Sequence, residues 1–128
     1  AETVELGLIN QSSYPVFDVQ VRLIDLDEPI DPENGKFWTD HMFHLASLFP
    51  SRIVMGAYRF DIRGRERLRL NIFINTRGQG SMQQIRIARV NGAIQIATRT
   101  KAGEQVVEQR VPDGFPGWNP ENPNELFN

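Results

Sequence analysis

NQSSYPVFDVQVRLIDLD, residues 10–27, changes character at its midpoint. The first half is turn chemistry: Asn10, Ser12 and Ser13, then Tyr14 ahead of Pro15. Asn and Ser side chains bond nearby backbone and Pro fixes φ, so such a run redirects the chain. The second half alternates. Phe17, Val19, Val21 and Leu23 fall on one side, with Asp18, Gln20 and Arg22 on the other. A period of two marks a β-strand with one buried face. Pro15 stands just before that strand, where a missing N–H costs least.

The same reading extends in both directions. Upstream, TVELGLIN (3–10) alternates Val4, Leu6 and Leu8 with Glu5 and Gly7, and a hairpin with the strand after Pro15 is the simplest pairing. Downstream, RERLRLNIFINTR (65–77) sets Leu68, Leu70, Ile72 and Ile74 against Arg65, Arg67, Arg69, Asn71, Phe73 and Asn75. RGQGS (77–81) reads as a turn. MQQIRIARV and AIQIATRT flank Asn91-Gly92, the pair that a two-residue type I′ hairpin favours because both residues must accept positive φ. KAGEQ is a further turn before VVEQRV (106–111). IVMGAYRFDI (53–62) reads as a strand with a bulge at Gly56. HMFHLASLFPSR (41–52) fits a short helical turn or a brief strand ending at Pro50. The acid-rich DEPIDPENGKFWTD (27–40) reads as a long exposed loop.

Six to eight strands with one wet face each predict an all-β fold, an antiparallel two-sheet sandwich of immunoglobulin-like form over residues 1–112. A partly closed barrel is the alternative. Residues 113–128 read as an extended tail. From Pro112 the chain holds four prolines, two glycines and four asparagines in PDGFPGWNPENPNELFN, with Phe115, Trp118, Leu126 and Phe127 as its only anchors.

Composition narrows the function classes. At 128 residues with 40% hydrophobic and 23% charged side chains, the chain is an ordinary globular domain able to bury a core. No apolar run approaches the length of a membrane span. Cysteine is absent, which removes disulfides, thiolate metal sites and thiol nucleophiles. The net charge of −2 counts against a nucleic-acid binder, yet it hides a division. Residues 1–50 carry nine acids and two bases, whereas residues 51–110 carry twelve bases and four acids. That division means either an anionic partner or two halves that neutralise each other on folding.

The pattern L-x-N-x-S-x-Y-P-V-x-D-V-x-V-x-L-x-D, carried here by Leu8, Asn10, Ser12, Tyr14, Pro15, Val16, Asp18, Val19, Val21, Leu23 and Asp25, resembles the opening of immunoglobulin-like sandwich modules of bacterial proteins. Leu45, Leu48 and Pro50 resemble the segment that follows in them. The resemblance covers about the first fifty residues and implies an accessory or interaction module with no catalytic residues. The disulfide of antibody domains has no counterpart in a chain without cysteine.

Few residues carry chemistry. His41 and His44, beside Asp40, would share a face on a helical turn, but the spacing matches no closed zinc site, and polar loop residues are the simpler reading. DLDEPIDPENG lacks the ligand order of a calcium loop. No serine lies in a G-x-S-x-G elbow, and no cofactor motif is present. The arginines say more. Arg63, Arg65, Arg67 and Arg69 share a parity, so on a strand they form a row about 7 Å apart beside Phe73, with Arg86 and Arg99 joining from the hairpin if the register allows. Such a row suits phosphates, sulfated sugars or an acidic surface, or is a solvated face balanced by the acids of residues 18–40. Trp38 and Trp118, with Phe37, Tyr58 and Phe115, raise sugar stacking, though loop tryptophans also pin loops to cores. The expectation is a non-catalytic, metal-free interaction module. It would contact a protein partner or itself through the tail or a sheet edge; the alternative is a module binding carbohydrate or another anionic polymer.

Overall fold

The computed structural model describes residues 3–27, 41–62, 64–77 and 79–127. Among them run eight strands: β1 (Thr3–Ile9), β2 (Val16–Asp25), β3 (His41–Leu48), β4 (Ile53–Asp61), β5 (Arg67–Thr76), β6 (Gln79–Val90), β7 (Ala93–Ala102) and β8 (Gln105–Arg110). A single helical turn, α1 (Asn124–Phe127), follows. β1 and β4 form a two-stranded sheet, and the other six form one sheet in the order β3-β2-β5-β6-β7-β8. Both sheets are antiparallel.

One apolar core joins the two sheets. Val19, Val21 and Leu23 of β2, Leu68, Leu70 and Ile72 of β5, and Ile85 and Ile87 of β6 are buried, and Val4, Leu6, Leu8 and Val54 of the small sheet pack on them. Each such Val, Leu or Ile contributes about 1.5–3 kcal/mol when fully buried. The cross-strand register aligns them: Leu23 with Ile72, Leu70 with Ile85, Leu68 with Ile87.

The turns follow their chemistry. Asn91 (φ 51°) and Gly92 (φ 79°) connect Val90 to its partner Ala93, the type I′ geometry that the Asn-Gly pair predicts. Gly103 (φ 61°) serves the next hairpin, where Ala102 pairs with Gln105. The register of β1 against β4 shifts between Leu6, opposite Tyr58, and Leu8, opposite Val54. β4 therefore bulges around Gly56, as its glycine suggests.

Three expectations need correction. First, β1 does not pair with β2; it pairs with β4, while β2 lies between β3 and β5. The turn after β1 carries the chain from the small sheet to the large one, and Asn10, 6% exposed, holds it there. Asn10 Nδ2 donates to Tyr14 O (2.8 Å) and to Leu48 O (2.9 Å), and its Oδ1 accepts from Ser12 N (2.9 Å). Its carbonyl accepts from Ser51 N at 2.9 Å. Leu48 ends β3 and Ser51 lies in the return crossover from β3 to β4, so one residue, by its side chain and its main chain, ties the two crossovers together beside the β1–β4 layer.

Second, Phe17 is not in the core; it is 42% exposed, while Val16 packs against the core. Asp18 has φ 53°, which rotates the strand and shifts inward-facing positions from Val16 to Val19. The segment 41–48, left open between a helical turn and a brief strand, is a strand paired with β2 from Val16 to Leu23. Third, the 77–81 turn is shorter than its residues suggest. β6 starts at Gln79, directly opposite Thr76. Gly80 is a ladder residue, and a Cβ there would stand 2.8 Å from Asn75 Oδ1 on the opposite strand.

The second face of the large sheet is covered as well. After β8 the chain returns over β5–β7, and Phe115 and Phe127 sink onto Ala88 and Ala97 with Val90, Val111, Trp118 and Leu126 around them. The four anchors read from the tail's sequence are the residues that pack. Ala97, fully buried, is small enough to leave the hollow that Phe127 fills.

Candidate functional site

Strand alternation places Arg67, Arg69, Asn71 and Phe73 of β5 on the face beneath the C-terminal arm, and the register sets Ala88 beside Arg67 and Arg86 beside Arg69. β7 adds Arg99 opposite Gln84. The hairpin arginines therefore do join the row. What the alternation does not reveal is burial: Arg86 is 3% exposed and Arg99 4%.

Arg86 is the centre of this face. Its Nε donates to Leu126 O (3.0 Å) and its Nη2 to Phe127 O (2.9 Å), while Nη1 reaches Leu70 O and Ile85 O, both at 3.1 Å. Gln84 Nε2 also donates to Phe127 O. Arg99 donates to Gln84 Oε1 (2.8 Å) and Asn124 Oδ1 (2.9 Å). The guanidiniums of Arg86 and Arg99 lie 5.8 Å and 5.0 Å from the Phe127 ring centre, a cation–π arrangement. None of the groups that Arg86 bonds is a carboxylate. Burial, then the neighbouring charges of Arg69 and Arg99, push its pKa down to about 10. Burial lowers that of Arg99 as well.

The outer arginines have different surroundings. Arg69 donates to Asp27 Oδ1 from Nη2 (2.7 Å) and Nε (3.0 Å), and this bond raises its pKa. Arg65 precedes β5, where the alternation no longer governs, and pairs with the buried Asp25 at 3.1 Å. Arg67 is exposed and makes no ion pair among the described residues. Phe73 is half-buried, between Arg22 and Met82 across the ladders. Arg63 lies outside the described residues, as do Phe37, Trp38 and the side chain of Tyr58. Trp118 belongs to the apolar cluster under the arm.

The acids of the first half lie against the arginines of the second. Besides Asp25–Arg65 and Asp27–Arg69, Asp18 pairs with Arg77 (2.7 Å) and Glu5 with Arg59 (3.6 Å). β3 also alters the histidine reading, because positions 41 and 44 lie on a strand and not on a helical turn; Asp40 and the side chain of His41 lie outside the described residues.

Between arm and sheet a cleft of about 130 Å³ remains, with Arg67, Arg69 and Arg86 in its floor, Phe115 and Leu126 in its walls, and Glu125 among its lining residues. Sequence reasoning found Arg67 and Arg69 but gave no central part to Arg86. The available signal was MQQIRIARV itself, where arginine alternates with core isoleucines in a strand whose other face meets alanines and the aromatic arm.

These features define a nearly all-β protein with two antiparallel sheets of two and six strands and a basic face roofed by its own C-terminal segment. The chain matches no family model, no curated protein and no solved structure. No helix among the described residues is long and apolar enough to cross a membrane.

Proposed function

We propose that the chain is a non-catalytic, immunoglobulin-like β-sandwich module working by protein–protein contact within a larger protein or assembly, and that β8 is its contact edge. The observation that carries this reading is the state of β8. It ends the six-stranded sheet, all six of its residues are exposed, and Val106 and Val107 are 44% and 56% accessible. An edge strand presents unpaired backbone donors and acceptors to any strand that adds to it. On the adjoining β7, Ile94 and Ile96 are also exposed, although Ile96 pairs with the core residue Ile87. The narrow second sheet leaves this strip uncovered.

The partner that fits β8 is a second copy. VVEQRV is self-complementary when run antiparallel about Gln109, since Glu108 then meets Arg110 of the copy twice over and Val107 meets Val111. Within one chain the same Glu108 and Arg110 pair at 2.8 Å, so both already lie on one side of the strand. Sedimentation of charge-reversed variants tests the reading. Arg110→Glu alone, or Glu108→Arg alone, should weaken self-association by roughly tenfold, and the double reversal should restore it, as expected for opposed charges on neighbouring strands. A chain that stays monomeric at the highest soluble concentration, or single reversals without effect, would overturn the proposal.

A further inference from the structure

We infer that the cleft between the C-terminal arm and the β5–β6 face is a binding site for a phosphate-class oxyanion, held by Arg67 and Arg69 with the charge of Arg86 behind them. This site is separate from the β8 edge and stands or falls independently of it.

Three observations carry the inference. The cleft, about 130 Å³, exceeds several-fold the ~30 Å³ share of one water in the liquid, so it admits a group of several heavy atoms. Its floor holds more positive charge than its surroundings neutralise. Arg69 has Asp27, but Arg67 has no ion pair among the described residues and Arg86 is bonded only to neutral groups. Finally, Arg67 and Arg69 both line the cleft from one strand, two residues and so about 7 Å apart, a span over which one tetrahedral anion with several acceptor oxygens can meet both.

Within this site the arginines divide the work. Nε, Nη1 and Nη2 of Arg86 already hold the arm and the sheet, so Arg86 supplies field rather than a first contact. Arg67 supplies the first contact, and Arg69, whose Nε and Nη2 hold Asp27, adds its Nη1 side. Burial first, and then the charges of Arg69 and Arg99, depress the pKa of Arg86, and an entering anion would offset the part due to charge. Glu125 opposes the ligand: it is among the residues lining the cleft and makes no ion pair among the described residues. A doubly charged phosphate or sulfate group is favoured over a carboxylate, because it offers the arginines more charge and more acceptor oxygens.

The test is a heteronuclear NMR titration of the intact chain with inorganic phosphate, sulfate, acetate and chloride at matched ionic strength. Phosphate and sulfate should give saturable shifts confined to residues 67–69, 86–88 and 115–117. Arg67→Ala should raise the dissociation constant at least about tenfold, and Glu125→Gln should lower it severalfold, whereas Arg52→Ala, on the exposed β3–β4 connection outside the cleft lining, should leave it unchanged. Arg67 is exposed and unpaired, so its removal leaves the fold standing, and unchanged dispersion of the spectrum verifies this. Shifts that follow ionic strength without saturating, acetate binding as tightly as phosphate, or an unaltered constant in Arg67→Ala would each overturn the inference. None of these outcomes bears on self-association through β8, which the charge reversals read.

Discussion

Asn10 and Asp18 are single residues with large structural consequences. Asn10 is buried and uses both ends of its amide, so Asn10→Asp should destabilise the chain by about 1–3 kcal/mol in a denaturant melt. The carboxylate keeps the bond from Ser12 but takes the amide donor away from the Leu48 carbonyl and leaves the Tyr14 carbonyl only the Ser12 hydroxyl. Asp18 acts through φ instead. Asp18→Gly should stay within about 1 kcal/mol of the parent, since relief of the left-handed conformation offsets the lost exposed pair with Arg77, whereas Asp18→Val should cost about 1–2 kcal/mol. Arg86 sets a pH signature. Its folded pKa lies below that of the unfolded chain, so its charge burdens the fold at neutral pH, and the burden fades as pH rises through about 10. Stability of the parent relative to Arg86→Met should therefore increase between pH 8 and pH 11 in matched urea melts.

At the scale of elements, legibility depended on how local the decisive contacts are. The β6–β7 hairpin was readable because Asn91-Gly92 and the flanking alternation specify it within a dozen residues. The segment 41–48 was ambiguous because eight residues rich in apolar side chains satisfy either period, and pairing with β2 decides for the strand. The arm shows the reverse situation. Its anchors are visible in sequence, but their landing place requires the small Ala88 and Ala97 to be brought side by side by the sheet. Phe127→Ala should release the arm while leaving the sheet folded, with a local cost of about 3 kcal/mol. Limited proteolysis should then cut within residues 113–123 much faster, while exchange protection of β5 and β6 amides persists. Equal cutting of both chains would show that Phe127 does not fasten the arm.

For the whole molecule, the opposed charges of the two halves resolve largely into contacts between them. Asp18, Asp25, Asp27 and Glu5 each meet an arginine from the second half, so the division reflects how β2 comes to lie beside β5 and β1 beside β4. These pairs are not equal. Asp25 is 1% exposed and accepts two bonds from Arg65, so Asp25→Ala should cost about 2–3 kcal/mol by stranding a partly buried guanidinium that retains only Asp27. The exposed pair of Arg77 and Asp18 should contribute under about 1 kcal/mol, and added salt should therefore change overall stability little.

What the sequence by itself determined is the set of strands and most of their inward faces, because side-chain period and turn chemistry are properties of neighbouring residues. Val19, Val21 and Leu23 against Leu70 and Ile72 were legible on that ground. Only the tertiary structure decided that β1 pairs with β4, that Phe17 turns outward, and that Arg86 and Arg99 lie under the arm. Alternation distinguishes the two sides of a strand without saying what covers either. Loop-closure entropy grows so slowly with length that a partner fifty residues away competes on nearly equal terms with the adjacent one. Long-range packing therefore selected the partners, and with them the face on which charge gathers.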